Sequence, residues 1–438
     1  MDSTLIATLM FPALFVLIFL GLPVAFSLIT VAFAAGLMAF GDLLPRQMFA
    51  RLIDASSSYT LAAVPLFILM GAVLERSGIA ERLFKAMQLW LGRMPGGLAV
   101  ATIAMAGIFA AATGIVGAVE AVIGLMAIPP MLRYAYDKGL ISGTICAGGS
   151  LGTMIPPSIV VIIYGAIGQI SIGQLFAGVL IPGGLMITFF LGYIVLRCWL
   201  RPADGPPAAL DEVDVTLGAK LRITAVSILP ATALVVAVLG SILAGIASPT
   251  EAAAVGALGA IVLAVLYREL NYAKLRAILS KTIRINAMIL LIVVGGSMFT
   301  SVFYFHGGNE LVAGTVHALA PTEFWLIVLL LVITFFLGFV LDWVSVVLIC
   351  LPIFDGLIRA AGVDPLWFGV MMIIVIQTSY LTPPMAPAIF YLRSIAPPEI
   401  TYRDMFRGVL PFVACQALVL ALVAILPWTA TYLPSLMR

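Results

Sequence analysis

Apolar runs of about 20 residues recur from one end of the chain to the other, separated by short stretches that hold most of the charge. The pattern predicts membrane spans at 4–20, 24–40, 59–75, 140–170, 174–198, 221–245, 250–267, 285–305, 366–392 and 408–427. Two further runs, 97–112 with 115–132 and 323–339 with 344–358, come as pairs of short arms. Arms of roughly 15–17 residues rise only about 22–26 Å as helix, against a hydrocarbon core of about 30 Å. Each pair therefore reads as a re-entrant hairpin that leaves by the face it entered. Two stretches alternate with helical period instead. IAERLFKAMQLWLGR (79–93) sets Ile79, Leu83, Met87 and Leu91 against Glu81, Arg82, Lys85 and Gln88, and 270–284 does the same with Leu275, Ile278 and Leu279 against Lys274, Lys281 and Arg284. Both read as interfacial helices along the cytoplasmic surface, each leading into a spanning or hairpin element.

Composition agrees. Of the 438 residues, 63% are hydrophobic and 10% charged, where a soluble protein carries about 25% charged residues. The chain reads as an all-α polytopic membrane protein set in a lipid bilayer. A net charge of +2 without a basic block leaves no footprint for nucleic acid. MDSTLIATLM has no Lys or Arg ahead of its apolar run, so it reads as a retained first helix rather than a signal peptide. Cys146, Cys198, Cys350 and Cys415 stand singly, which argues against metal or redox chemistry. His306 and His317 read as solvated residues of one loop. No catalytic constellation is visible, so an enzyme is not expected.

Charge bias tests the hairpins. With both pairs re-entrant and the N-terminus outside, only Arg46, Arg51, Arg359 and Arg438 of the 22 Lys and Arg lie outside. Treating the first pair as a complete crossing inverts everything downstream and destroys the bias. The expected N-terminus is thus periplasmic.

The polar segment RPADGPPAALDEVDVTLGA (201–219) reads as a linker between residues 1–200 and 220–438. Each half holds a short hairpin followed by a span broken at Pro-Pro: GTMIPPS (152–158) in the first, YLTPPMAPA (380–388) in the second. Proline lacks the N–H and clashes with the preceding turn, so neither span continues as one helix. On the charge assignment the first hairpin opens inside and the second outside, which makes the halves two inverted repeats with broken helices near the midplane. Such breaks free carbonyls and helix ends that can coordinate a cation or an anionic group. Around the first lie Thr113, Gly114, Gly152, Thr153 and Ser158; around the second lie Asp342, Ser345, Gln377 and Thr382. Glu120 and Asp342 are carboxyls within apolar segments, a placement that is costly and usually functional. Glu120 reads equally well as a functional carboxyl or as a structural one, either a buried acid paired with a neighbour or a hairpin residue facing water. Asp342 reads either as a sodium ligand or as the cap of the helix after it.

These motifs resemble the large membrane subunit of the tripartite ATP-independent periplasmic (TRAP) transporters. The resemblance rests on VPLFILMGAVLERSGIAERL (64–83), GGSLGTMIPPSIVVIIYG (148–165), SPTEAAAVGAL (248–258), VLDWVSVVLICLPI (340–353), GVDPLWFGV (362–370) and YLTPPMAPAIFYLRSIAPPE (380–399). It implies an inner-membrane permease of bacteria that works with a small four-helix membrane subunit and a periplasmic substrate-binding protein. It further implies Na+-driven uptake of a small organic acid, with the hairpins and broken helices moving elevator-fashion. Sodium sites are implied where hairpin tips meet breaks, at Thr113, Gly114, Gly152, Thr153, Ser158, Asp342, Ser345 and Thr382. Two positions depart from the usual pattern: Glu120 in the first tip, where many members carry small polar residues, and Gln377, where many carry an acid. The competing reading is a stand-alone ion-coupled organic anion transporter or antiporter, which the same architecture would serve without a binding protein.

Overall fold

The computed structural model describes residues 3–114, 117–208, 216–320 and 322–437, and these are helical almost throughout. The helices of the first stretch are α1 (Ser3–Phe19), α2 (Val24–Phe40), α3 (Leu44–Ser56), α4 (Ala63–Arg76), α5 (Ile79–Leu91), α6 (Gly97–Thr113), α7 (Ala118–Arg133), α8 (Lys138–Ser150), α9 (Ile159–Gly168) and α10 (Ile172–Leu200). Then follow α11 (Leu217–Leu243), α12 (Pro249–Leu266), α13 (Tyr272–Phe305), α14 (Gly308–Leu319), α15 (Glu323–Leu337), α16 (Trp343–Ala360), α17 (Pro365–Leu381), α18 (Pro387–Ile395), α19 (Tyr402–Ile425) and α20 (Trp428–Ser435). Among the described residues, seven helical stretches are long and apolar enough to cross a bilayer.

The short pairs are hairpins: α6 packs on α7, and α15 on α16. Although α16, with 18 residues, could span alone, α15 has only 15, and the turn between them packs into the protein. Both breaks are present, between α8 and α9 and between α17 and α18. Packing across the molecule is reciprocal. α2 lies on α13 and α12 on α4, while α7 meets α18 and α16 meets α9. Each second hairpin arm therefore rests on the far part of the other broken helix.

Several sequence expectations are corrected. The stretch 270–284 is not a separate surface helix; it is continuous with the span 285–305 in the 34-residue α13. Asn271 caps its start, accepting from the Lys274 N–H at 2.8 Å, and no Gly or Pro interrupts the chain before Gly295. The corresponding arm α5 is separated from α4 by a 59° bend at Ser77–Gly78, where Gly78 takes φ +70°, a conformation that favours glycine. His306 is buried rather than solvated, at the C-terminus of α13 with Nε2 3.1 Å from the Ala35 carbonyl, and His317 belongs to α14. The helices α3, α14 and α20 extend beyond the expected spans.

The opening of the 201–219 segment is docked, not free. Gly96 donates its N–H to Gly205 O at 2.7 Å and Ala208 to Gly92 O at 2.8 Å. Arg197 donates to Asp137 and Asp204, both at 2.8 Å, and to the Tyr193 hydroxyl at 3.0 Å. Residues 209–215 of that segment, and Ile115 and Val116 of the first hairpin turn, lie outside the described residues.

Candidate ion and substrate site

Each hairpin tip closes on the break of its own half. At the end of α6, Gly114 takes φ +61°, and a Cβ there would lie 2.6 Å from the Pro157 carbonyl oxygen. Only glycine permits both that conformation and that approach. At the second tip, a Cβ on Gly338 would lie 2.1 Å from Ser379 Oγ. Both Pro-Pro bonds, Pro156–Pro157 and Pro383–Pro384, are cis.

The first break is internally bonded. After α8 the chain makes a single 3-10 turn, Leu151–Thr153, that holds Gly152. Thr153 donates its hydroxyl to Ser150 O at 2.8 Å, and Ser158 donates to Thr153 O at 2.6 Å. Thr113 donates to Phe109 O at 2.9 Å. Five predicted residues of the first half thus gather at one tip and break: Thr113, Gly114, Gly152, Thr153 and Ser158.

The second group is gathered less tightly. Asp342 is the N-cap of α16: it accepts from the Val344 N–H at 3.1 Å, the Ser345 N–H at 3.3 Å and Ser345 Oγ at 2.5 Å. Thr382, ending α17, turns its hydroxyl to Thr378 O at 2.6 Å. Gln377 points elsewhere, donating from Nε2 to Ser150 Oγ at 3.1 Å at the crossing of α17 and α8. Gln416 of α19 donates to the same oxygen at 3.3 Å. Both amide carbonyls are buried without a partner.

Among the described residues, nine helices, among them α8, α10, α16 and α19, are capped by a side chain accepting from first-turn N–H groups. The two that begin at the breaks are not, a feature they share with α2–α7, α14 and α20. Ser158, at the N-cap of α9, gives its hydroxyl to Thr153, and the N-cap of α18 is Ala386. In α18 Pro387 has no N–H to offer and the Ile389 N–H donates to Ala386 O at 2.8 Å, so what both starts present to an anionic group is chiefly the positive end of the helix dipole.

Sequence spacing singled out Glu120 but could not reveal its partners. The Glu120 side chain is fully buried, with Oε2 accepting from the Tyr380 hydroxyl at 2.9 Å. The ring of Tyr391 covers Gly117, where a Cβ would lie 2.9 Å from the ring. Tyr391 also lies within electrostatic reach of both Glu120 and Asp342. Tyr380 and Tyr391 flank the second Pro-Pro, so only an excess of aromatic hydroxyls there hinted at them. Ser150 and Gln416 gave no signal. Among the described residues no group of three or more His, Cys, Asp and Glu could hold a metal ion.

The family model described as "Tripartite ATP-independent periplasmic transporter, DctM component" matches residues 11–429. The chain is 30% identical over 393 residues to the C4-dicarboxylate TRAP transporter large permease protein DctM of Pseudomonas aeruginosa, covering 89% of this chain and 90% of the relative. It is 30% identical over 423 residues to the sialic acid TRAP transporter large permease protein SiaM of Vibrio cholerae, covering 96% of each. It is also 30% identical over 438 residues to the ectoine TRAP transporter large permease protein TeaC of Halomonas elongata, covering 98% of this chain and 99% of the relative. In three dimensions it is similar to the Alcanivorax borkumensis YdaH transporter, whose solved structure is described as having an unusual topology. That match has a TM-score of 0.65 and 16% identity, over 95% of this chain and 98% of the other.

Proposed function

The chain belongs to the DctM component family of tripartite ATP-independent periplasmic transporters, and on that premise we propose that it is the multi-pass permease for sodium-coupled uptake of a small organic acid. It works with a small membrane subunit and a periplasmic binding protein. The observation that carries the carboxylate is the pair of uncapped helix starts, α9 and α18, at the breaks. No Lys or Arg occurs in the break segments 150–165 or 377–391, so backbone N–H groups, hydroxyls and a bound cation share the work of holding it. The hard oxygens of Thr113, Thr153, Ser158, Asp342, Ser345 and Thr382 suit sodium.

The two inverted repeats, residues 1–200 and 220–438, place one tip toward each side of the membrane, with the N-terminus periplasmic. α6–α10 and α15–α19 form the moving body, and α2, α4, α12 and α13, which interlock with one another, form the frame. The relatives are named for substrates as different as a C4-dicarboxylate, sialic acid and ectoine, so the particular acid is best found through the binding protein.

The test is reconstitution. The binding protein's ligand is identified by thermal-shift screening, and its uptake is measured in proteoliposomes with both membrane subunits. Uptake is expected to need an inward sodium gradient and the binding protein together. Full uptake without the binding protein would instead support the stand-alone transporter.

A further inference from the structure

We propose that Glu120 is a proton-binding site, whose neutral form locks the first hairpin to the second broken helix. The carboxyl is wholly buried between α7, α8 and α17. Gly149 of α8 leaves it no slack, because a Cβ there would lie 1.9 Å from Glu120 Cγ. Oε2 accepts from Tyr380; the Gly117 N–H faces the same carboxyl; Oε1 has no partner.

The groups around it supply no countercharge. α8 brings the thiol of Cys146, α17 the phenol of Tyr380 and α18 the phenol of Tyr391. α6 has no titratable side chain. Arg133 stands at the far end of α7, Lys138 at the start of α8, and Arg403 and Arg407 in the first turns of α19; three other nearby cations are engaged elsewhere. Lys85 of α5 pairs with Glu81 at 2.6 Å, Arg82 lies over Tyr267, and Arg393 of α18 donates to Ile400 O at 3.0 Å. A carboxylate buried without a cation costs several kcal/mol, a cost that a bound proton removes. Sodium fits less well. It requires a shell of oxygens, and among the described residues the one side-chain oxygen hydrogen-bonded to the carboxyl is the Tyr380 hydroxyl.

The consequence is a coupling. The proton favours the state in which α18 covers α7. When those helices part and water enters, the carboxylic acid releases its proton to water and the carboxylate is hydrated. Rising pH therefore loosens this contact, and falling pH tightens it.

Infrared difference spectroscopy on the purified complex of both membrane subunits tests the protonation directly and needs no transport. Wild type at pH 7 is expected to show a protonated-carboxyl carbonyl band that Glu120→Gln lacks. Identical spectra in that region would overturn the proposal. The second arm rests on the transport reading: uptake by wild type should vary with pH toward the one-proton limit of about tenfold per unit, and Glu120→Gln, permanently neutral, should flatten that profile. A variant with an unchanged pH profile but an altered sodium Hill coefficient would make Glu120 a cation ligand and likewise overturn it. Loss of uptake in wild type with the infrared band intact would strike the transport reading and not this one.

Discussion

Gly114 and Pro157 meet with the Pro157 carbonyl oxygen only 2.6 Å from where a Gly114 Cβ would stand. A left-handed backbone costs an L-residue about 1–2 kcal/mol, and a methyl here must also push the carbonyl away. Gly114→Ala should therefore insert and fold, yet lose about tenfold or more in uptake, since 1.36 kcal/mol is a factor of ten. Gly184→Ala is the control. Gly184 has nothing within 4 Å of its would-be Cβ, and alanine suits a helix better by about 1 kcal/mol. Uptake and thermal unfolding of both variants, side by side, decide it.

Asp342 separates charge from geometry. It caps α16 through two backbone N–H groups, and Asn caps about as well as Asp. Asp342→Asn should keep thermal stability within about 0.5 kcal/mol while weakening apparent sodium affinity, read from uptake against sodium concentration. Unchanged sodium dependence would leave Asp342 a cap and no more.

Sidedness can be read with thiol reagents. Cysteines placed at Gly307 and Glu399 should label from opposite faces of the membrane, the former from the periplasm. Cys146, Cys198 and Cys350 are buried, but Cys415 is partly accessible and should be replaced first. Labelling of both sites from one face would refute the inverted arrangement.

Ser150 is the shared acceptor of two buried amides, Gln377 and Gln416. Ser150→Ala strands both, at about 1–3 kcal/mol for each unsatisfied group. Thermal unfolding in detergent should show a clear loss. Adding Gln377→Leu and Gln416→Leu should recover much of it, because removing all partners of a polar cluster costs far less than removing one.

The order of spans, both hairpins and both breaks were legible because each has a local cause: apolar length, a short arm, or Pro-Pro. The arm 270–284 was misjudged for a local reason as well. Its amphipathic pattern matched that of α5, but α5 is set apart by Gly78 and nothing equivalent stands between Arg284 and Ile285. His306 reads as solvated because it falls with His317 in the loop after the span 285–305, whereas its ring turns back to Ala35, 271 positions away. Site residues within one tip and break could be grouped from the sequence. The Glu120–Tyr380 and Ser150–Gln416 pairs could not, being 260 and 266 positions apart and joined only by how the halves cross.

The reciprocal seating of α2 on α13 and of α4 on α12 sets a timetable for synthesis. About 230 residues separate the end of α2 from the start of α13, roughly ten to fifty seconds of translation at about 5–20 residues per second. Throughout that interval α2 has its neighbours α1 and α3 but not α13, so lipid or the insertion machinery must cover the face that α13 later takes.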